Sequence, residues 1–194
     1  MDSWDGKNNP KKAGYEYLLA YKITIPIYDY TVSFCKKYRG LLSSHRTYDQ
    51  MVQAGRSGSN NIPEGNKQAS LEGYIKLTGV NLASLEELLK DYLAFSRQNK
   101  TPIWGKEETV RNVREVGLVW EVIRKTSTLP DSPNFPDLPD NLAKAVNLMI
   151  TLVNQAIYLQ KRLRESLEKK FVEQGGFREN LFKRRLDYRR KNGC

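Results

Sequence analysis

The sequence predicts an all-α protein: an antiparallel up-and-down four-helix bundle with one extra short helix and a basic C-terminal suffix. Three observations carry that expectation. Large apolar residues recur every three or four positions over several long stretches, the period of one helix face. No run alternates apolar and polar residues between turn signals, and β-branched residues are scattered, so no strand pattern competes. The periodic stretches are separated by Gly- and Pro-rich segments, where helices stop.

Residues 1–11, MDSWDGKNNPK, read as a flexible arm, and the bundle is expected to occupy 12–173. From about Lys12 to Tyr38, the residues Leu19, Ile23, Ile27, Tyr30, Phe34 and Tyr38 share a stripe that Leu41 continues. Pro26 interrupts it. Either the helix kinks there, or it begins near Thr24 with Pro26 in its first turn, where the missing donor costs little. Gly40 stops this helix, and Ser43 or Ser44 caps the next, which carries Tyr48, Met51 and Val52.

The stretch from Gln53 to Glu72, QAGRSGSNNIPEGNKQASLE, is expected to end that helix and turn into the following one. Gly55, Ser57, Gly58 and Ser59 leave room for a neighbouring backbone, and Asn60, Asn61 and Glu64 supply polar groups near a helix terminus. Pro63 pushes the residue before it out of the helical region, which predicts a kink or break near Ile62. Arg56 and Glu64 are read as an internal ion pair that sets the turn, in preference to a contact with a ligand or another subunit.

Leu71, Ile75, Thr78, Leu82, Leu85, Leu89 and Tyr92 form the clearest helical seam. Ser70 is its cap, and Glu72 faces the positive end of the helix dipole. Residues 99–105, NKTPIWG, connect to a shorter helix from Lys106 to Lys125. Its stripe is weaker: Val110, Val113, Val116 or Gly117, and Trp120 or Val119. Residues 127–140, STLPDSPNFPDLPD, hold four prolines and read as an extended linker. Asp140 is the expected cap of the last long helix. Its seam is Leu142, Val146, Met149, Val153, Ala156, Leu163, Leu167 and Phe171, with Gln160 as the polar member. Gly175 and Gly176 end it, and the suffix, 174–194, is expected to form a short amphipathic helix with a cationic face.

A chain of 194 residues makes one ordinary domain, or one domain with an appendage, and can bury a sizeable core. Cys35 and Cys194 lie far apart, which suits a reducing cytosol without a structural disulfide and makes Cys35 a small core residue. No run approaches the roughly 20 apolar residues that cross a bilayer, and the first residues lack a signal-peptide core; the expected location is cytoplasmic, of the bacterial or archaeal type. The net charge of +10 is uneven: Lys161 to Lys191 holds twelve Lys and Arg against five Asp and Glu. That is the electrostatic footprint for a polyanion or an anionic membrane surface.

Enzymatic patterns are nearly missing. One histidine, His45, and two distant cysteines do not make a common zinc site, and no Glu-x-x-His pair exists for a di-iron centre. GRSGSNNIPEG lacks the lysine and preceding strand of a phosphate loop. Glu64 with Glu72, and Glu86 with Glu87, read as acids of helix starts and solvated faces. No catalytic residue, metal or cofactor is therefore expected.

The run Arg56, Ser57, Ser59, Asn61, Ile62, Glu64 and Gly65, followed by Leu82, Ala83, Ser84, Leu85, Glu87 and Leu88, resembles the signature of a family of small four-helix bundle proteins. That family includes the proteins encoded in intervening sequences of bacterial large-subunit ribosomal RNA and the accessory variability determinant of diversity-generating retroelements. Pro63 stands where the family often has Ala. The resemblance covers roughly residues 15–97, and the end of the chain is similar to a longer branch with a C-terminal suffix. It implies that Arg56, Ser59, Asn61, Glu64 and Gly65 form a structural motif. It further implies a homopentamer whose basic surface binds nucleic acid and a reverse transcriptase.

The expected function is a non-enzymatic, homo-oligomeric scaffold or accessory protein that binds RNA or DNA. Arg178, Lys183, Arg184, Arg185, Arg189, Arg190 and Lys191 of the suffix would meet phosphates, and Phe182 and Tyr188 would stack on unpaired bases or pack. Lys36, Lys37, Arg39 and Arg46, around the first helical turn, form a second cationic set. One alternative is a protein adaptor of a nucleic-acid enzyme without direct nucleic-acid contact. The other is a peripheral membrane protein, disfavoured because the suffix is short and Arg-rich.

Overall fold

A computed structural model describes residues 12–193, and every regular element among them is helical. The arm at 1–11 and Cys194 lie outside the described residues. A 3-10 turn at Gly14–Tyr17 leads into α1 (Leu19–Lys22) and α2 (Thr24–Lys37). Ile23, between them, keeps helical angles (φ −69°, ψ −24°), so the two are nearly continuous. Pro26 sits in the first turn of α2, where no hydrogen bond is forfeited within that helix. A second 3-10 turn, Arg39–Leu41, contains Gly40.

Ser44 caps α3 (His45–Asn66), its Oγ accepting from Thr47 N at 3.1 Å. The break expected near Ile62 does not occur: α3 runs through Pro63 and stops at Asn66. Pro63 lies in the last turn, so it removes a single bond, and Lys67 N still donates to its carbonyl at 3.2 Å. What holds this turn helical is burial of Asn61, of Ile62 (0% exposed) and of Gly65, a tertiary gain that exceeds the local preference before proline. At Gly55 the small residue does what the sequence suggests, since a Cβ there would stand 3.5 Å from Tyr28 Cα of α2.

α4 (Leu71–Gln98) is capped by Ser70, whose Oγ accepts from Gly73 N at 3.1 Å. Its buried face is wider than the expected seam. Thr78, Asn81, Leu85, Leu88, Tyr92 and Phe95 are fully enclosed, whereas Leu82 and Leu89 are partly so, because α4 packs against both α3 and a later helix. The predicted helix at 106–125 is two pieces, α5 (Lys106–Asn112) and α6 (Arg114–Lys125), divided at Val113 (φ −120°, ψ 82°). The break turns Val113 inward and leaves Val110 64% exposed. Lys22 is buried and closes the C-terminal end of α6, its Nζ donating to Ile123 O at 3.3 Å and Thr126 O at 2.8 Å.

The proline-rich segment carries no helix, as expected, but it is laid on the core. Leu129 is buried, Phe135 and Leu138 pack against the core, and Tyr30 Oη donates to Pro136 O at 2.5 Å. Asn141, not Asp140, caps α7 (Leu142–Gln174), accepting from Lys144 N at 3.0 Å. Asp140 instead pairs with Lys37. α7 is the central helix: Ala145 to Ile150 are all buried, and Gln160 donates to Ala20 O at 2.8 Å. It contains an 18-residue window of mean hydropathy 1.3, which by length and composition could cross a bilayer, contrary to the expectation that no such run exists. More than half of that window is buried inside the fold.

Packing runs from α2 to α3, α3 to α4, α4 to α7 and α7 back to α2. The core they enclose is aromatic at one level, where Phe34 meets Tyr92 and Phe95 edge-on at 5.1 and 5.0 Å. Cys35 is buried there, and that burial pushes its thiol up to about 12.

Candidate nucleic-acid interface

Gly175 ends α7 in a left-handed conformation (φ +73°), which only glycine adopts without strain. The chain then turns through Gly176 into α8 (Phe177–Asn192). The turn is tied down. Glu179 Oε2 accepts from Gly176 N at 3.2 Å, and Asn180 Nδ2 donates to Gln174 O at 3.1 Å and Gly175 O at 3.3 Å.

Beyond its first turns α8 packs on no other helix among the described residues. Every residue in it except Asn180 is exposed, none is buried, and no extensive helix packing involves it. It carries Arg178, Lys183, Arg184, Arg185, Arg189, Arg190 and Lys191 against two carboxylates, Glu179 and Asp187. Among the described residues none of those seven cations forms an ion pair. The cations of α7 differ. Lys161 pairs with Glu86 at 3.5 Å, Arg162 with Glu165 at 2.8 Å, Arg164 with Glu168 at 2.8 Å and Lys169 with Glu173 at 3.8 Å. The basic end of the sequence thus splits into a helix end compensated except at Lys170 and an uncompensated helix.

α8 is not amphipathic in the expected sense. At 3.6 residues per turn Phe177, Leu181 and Tyr188 fall on one side, and Phe182 and Leu186 on the opposite side, with cations between. Two opposed stripes leave no single apolar face. Exposures of 49% for Phe177 and 61% for Phe182 agree.

The second cationic set is dispersed. Lys37 is held by Asp140, Arg39 lies over the Tyr48 ring at 5.9 Å, and Lys36 is exposed. Arg46 lines a groove between α3 and α4, together with Asp49, Glu87 and Asp91. The Lys37–Asp140 pair places this set beside the start of α7, whereas α8 follows its end. A 33-residue helix is ~50 Å long, so the two sets do not form one patch.

The motif residues are scattered in role. Gly65 is buried against Tyr74, and Asn61 donates to Ser57 Oγ at 2.8 Å, itself reached by Ser84 Oγ from α4 at 2.9 Å. Ser59 bonds back to Arg56 O at 2.9 Å. Arg56 and Glu64 are both exposed and form no ion pair, eight residues apart on one helix. The internal pair required a turn between them, and α3 has none.

Among the described residues no group of three His, Cys, Asp or Glu is placed to hold a metal. His45 Nδ1 lies 3.0 Å from Asp49 on the exposed face of α3. Burial, and then Glu87, push the Asp91 carboxyl above its ordinary range.

Sequence reasoning missed a crevice of about 280 Å³ where the end of α7, the first turns of α8 and the start of α4 meet. Lys170, Asn180 and Leu71 line it from three separate helices, so no spacing in the chain announces it. The sequence signal is the paired glycine, 175 and 176, that separates α8 from α7 beside the crevice. Compared with protein families, with characterised proteins and with solved structures, the chain matches none.

Proposed function

We propose that this chain is a non-enzymatic, homo-oligomeric scaffold that binds nucleic acid through α8. The observation that carries the reading is the set of seven Lys and Arg on an exposed helix with no internal ion pair. Arg and Lys bind phosphate by releasing condensed counterions, and cations already paired to carboxylates have less to offer. Among the described residues α8 gathers seven unpaired cations on one helix. The closed circuit of contacts among α2, α3, α4 and α7 supports a four-helix bundle as the platform, and the resemblance in the Arg56–Leu88 region points the same way. Several copies of α8 on one assembly would bind a long polyanion with avidity. A reverse transcriptase as protein partner, and a cytoplasmic site of action, belong to the same reading.

An adaptor role has one observation in its favour, the exposed Phe182, Leu186 and Tyr188. A membrane-surface role has less, because opposed apolar stripes give a helix no face to lay in a bilayer interface.

Removing residues 177–194 tests the proposal. Fluorescence anisotropy over a salt series should show weaker binding to RNA or DNA. The salt dependence should flatten by ~0.7 log units per lost phosphate on a single strand or ~0.9 on a duplex. Thermal unfolding should not change, since no α8 residue is buried. An unchanged slope refutes the assignment to α8.

A further inference from the structure

We infer that the crevice at the root of α8 receives an unpaired nucleotide, its base against Phe177 and Leu181 and its phosphate between Lys170 and Arg184. This rests on the nucleic-acid reading above and deepens it, from polyanion in general to single-stranded nucleic acid.

Shape comes first. The crevice holds about 280 Å³, and Leu71, Phe177 and Leu181 line it together with Lys170, Asn180 and Arg184. That volume is just below the ~300 Å³ at which drug-sized ligand sites begin, so the crevice suits one planar base and not a larger ligand. Phe177 is 49% and Leu181 54% exposed, apolar surface left open in a crevice that two cations also line. Neither Lys170 nor Arg184 has a carboxylate partner among the described residues, although the neighbouring Lys169 has Glu173 at 3.8 Å.

Chemistry then selects the occupant. A duplex keeps its base faces stacked inside and offers only phosphates and groove edges, whereas a single strand can turn a base outward onto an aromatic ring. A crevice that shares an exposed aromatic ring and two unpaired cations suits the second. The site is also preformed. Asn180 bonds the end of α7, Glu179 caps α8 and Gly175 sets the turn, so little ordering is needed when a nucleotide enters.

Anisotropy titrations of the full chain would compare a labelled single-stranded oligonucleotide with a hairpin duplex bearing the same number of phosphates. Wild type should favour the single strand, and Phe177→Ala should weaken that binding on the order of tenfold, the loss expected for one stacked base. Its salt slope and duplex affinity should stay the same. Leu181→Arg separates shape from charge: charge alone makes both probes bind more tightly, while the crevice makes the single strand bind more weakly and the duplex more tightly. Equal effects on both probes from either variant, or tighter single-strand binding by Leu181→Arg, overturn the crevice and leave the nucleic-acid reading standing. Failure of wild type to bind either probe overturns both.

Discussion

Replacing Gly65 by alanine sets two effects of known size against each other. The new methyl would lie 2.3 Å from Tyr74 Cδ2 and 2.8 Å from Cε2, where carbon atoms in contact prefer ~3.5–4.0 Å. Overpacking of this kind costs ~1–3 kcal/mol. Against it, alanine is better than glycine in a helix interior by ~1 kcal/mol, an upper limit here because α3 ends one residue later. The Tyr74 hydroxyl has no hydrogen-bond partner among the described residues, so the ring is free of a polar anchor and part of the clash relaxes by moving it. The net expectation is a loss of about 1 kcal/mol, or ~2–4 °C in Tm for a chain of this length. In a Tyr74→Ala background the obstacle is gone, and Gly65→Ala should become neutral or stabilising. Urea unfolding of the four proteins of that cycle, followed by circular dichroism, gives the coupling directly. Equal stabilisation by Gly65→Ala in both backgrounds would refute the close contact of α3 with Tyr74.

Glu64→Ala should change stability by no more than ~0.5 kcal/mol in the same urea assay, because Glu64 is exposed and forms no ion pair among the described residues; a loss several times larger would restore the internal pair with Arg56. Asp91→Asn should raise the melting temperature at pH 7. Burial and Glu87 lift the folded-state pKa of Asp91 above the unfolded 3.8, so its penalty is fully present above the folded value and vanishes below 3.8. The difference between variant and wild type should therefore shrink as pH falls toward 3.8, and a difference that grows on acidification would reverse the sign of the argument.

Most helix positions, and the caps at Ser44 and Ser70, were legible in the chain because they depend on residues within a turn or two. Ser44 and Ser70 cap as their position before a periodic stretch implies, Pro26 falls in a first turn, and Gly175 ends α7. The candidate site was legible only as charge. The seven cations of α8 were visible by composition, and so were the four around the first helical turn. Nothing in the chain told the uncompensated set from the one engaged by Asp140, Tyr48 and the α3–α4 groove. The stripe expected to make α8 amphipathic was read from alternation along the chain, and helical geometry divides the same residues between two sides.

By itself, then, the sequence determined an all-helical chain, where most of its helices begin and end, and where its excess positive charge is concentrated. Those properties arise from backbone propensity, capping and periodicity, all of them local. Tertiary structure alone decided that α3 continues through Pro63, that the 106–125 helix breaks at Val113, that Lys22 closes α6 and that Lys37 meets Asp140. Each depends on burial or pairing between residues distant in sequence; at Pro63 the burial of Asn61, Ile62 and Gly65 outweighs a local preference of about a kilocalorie.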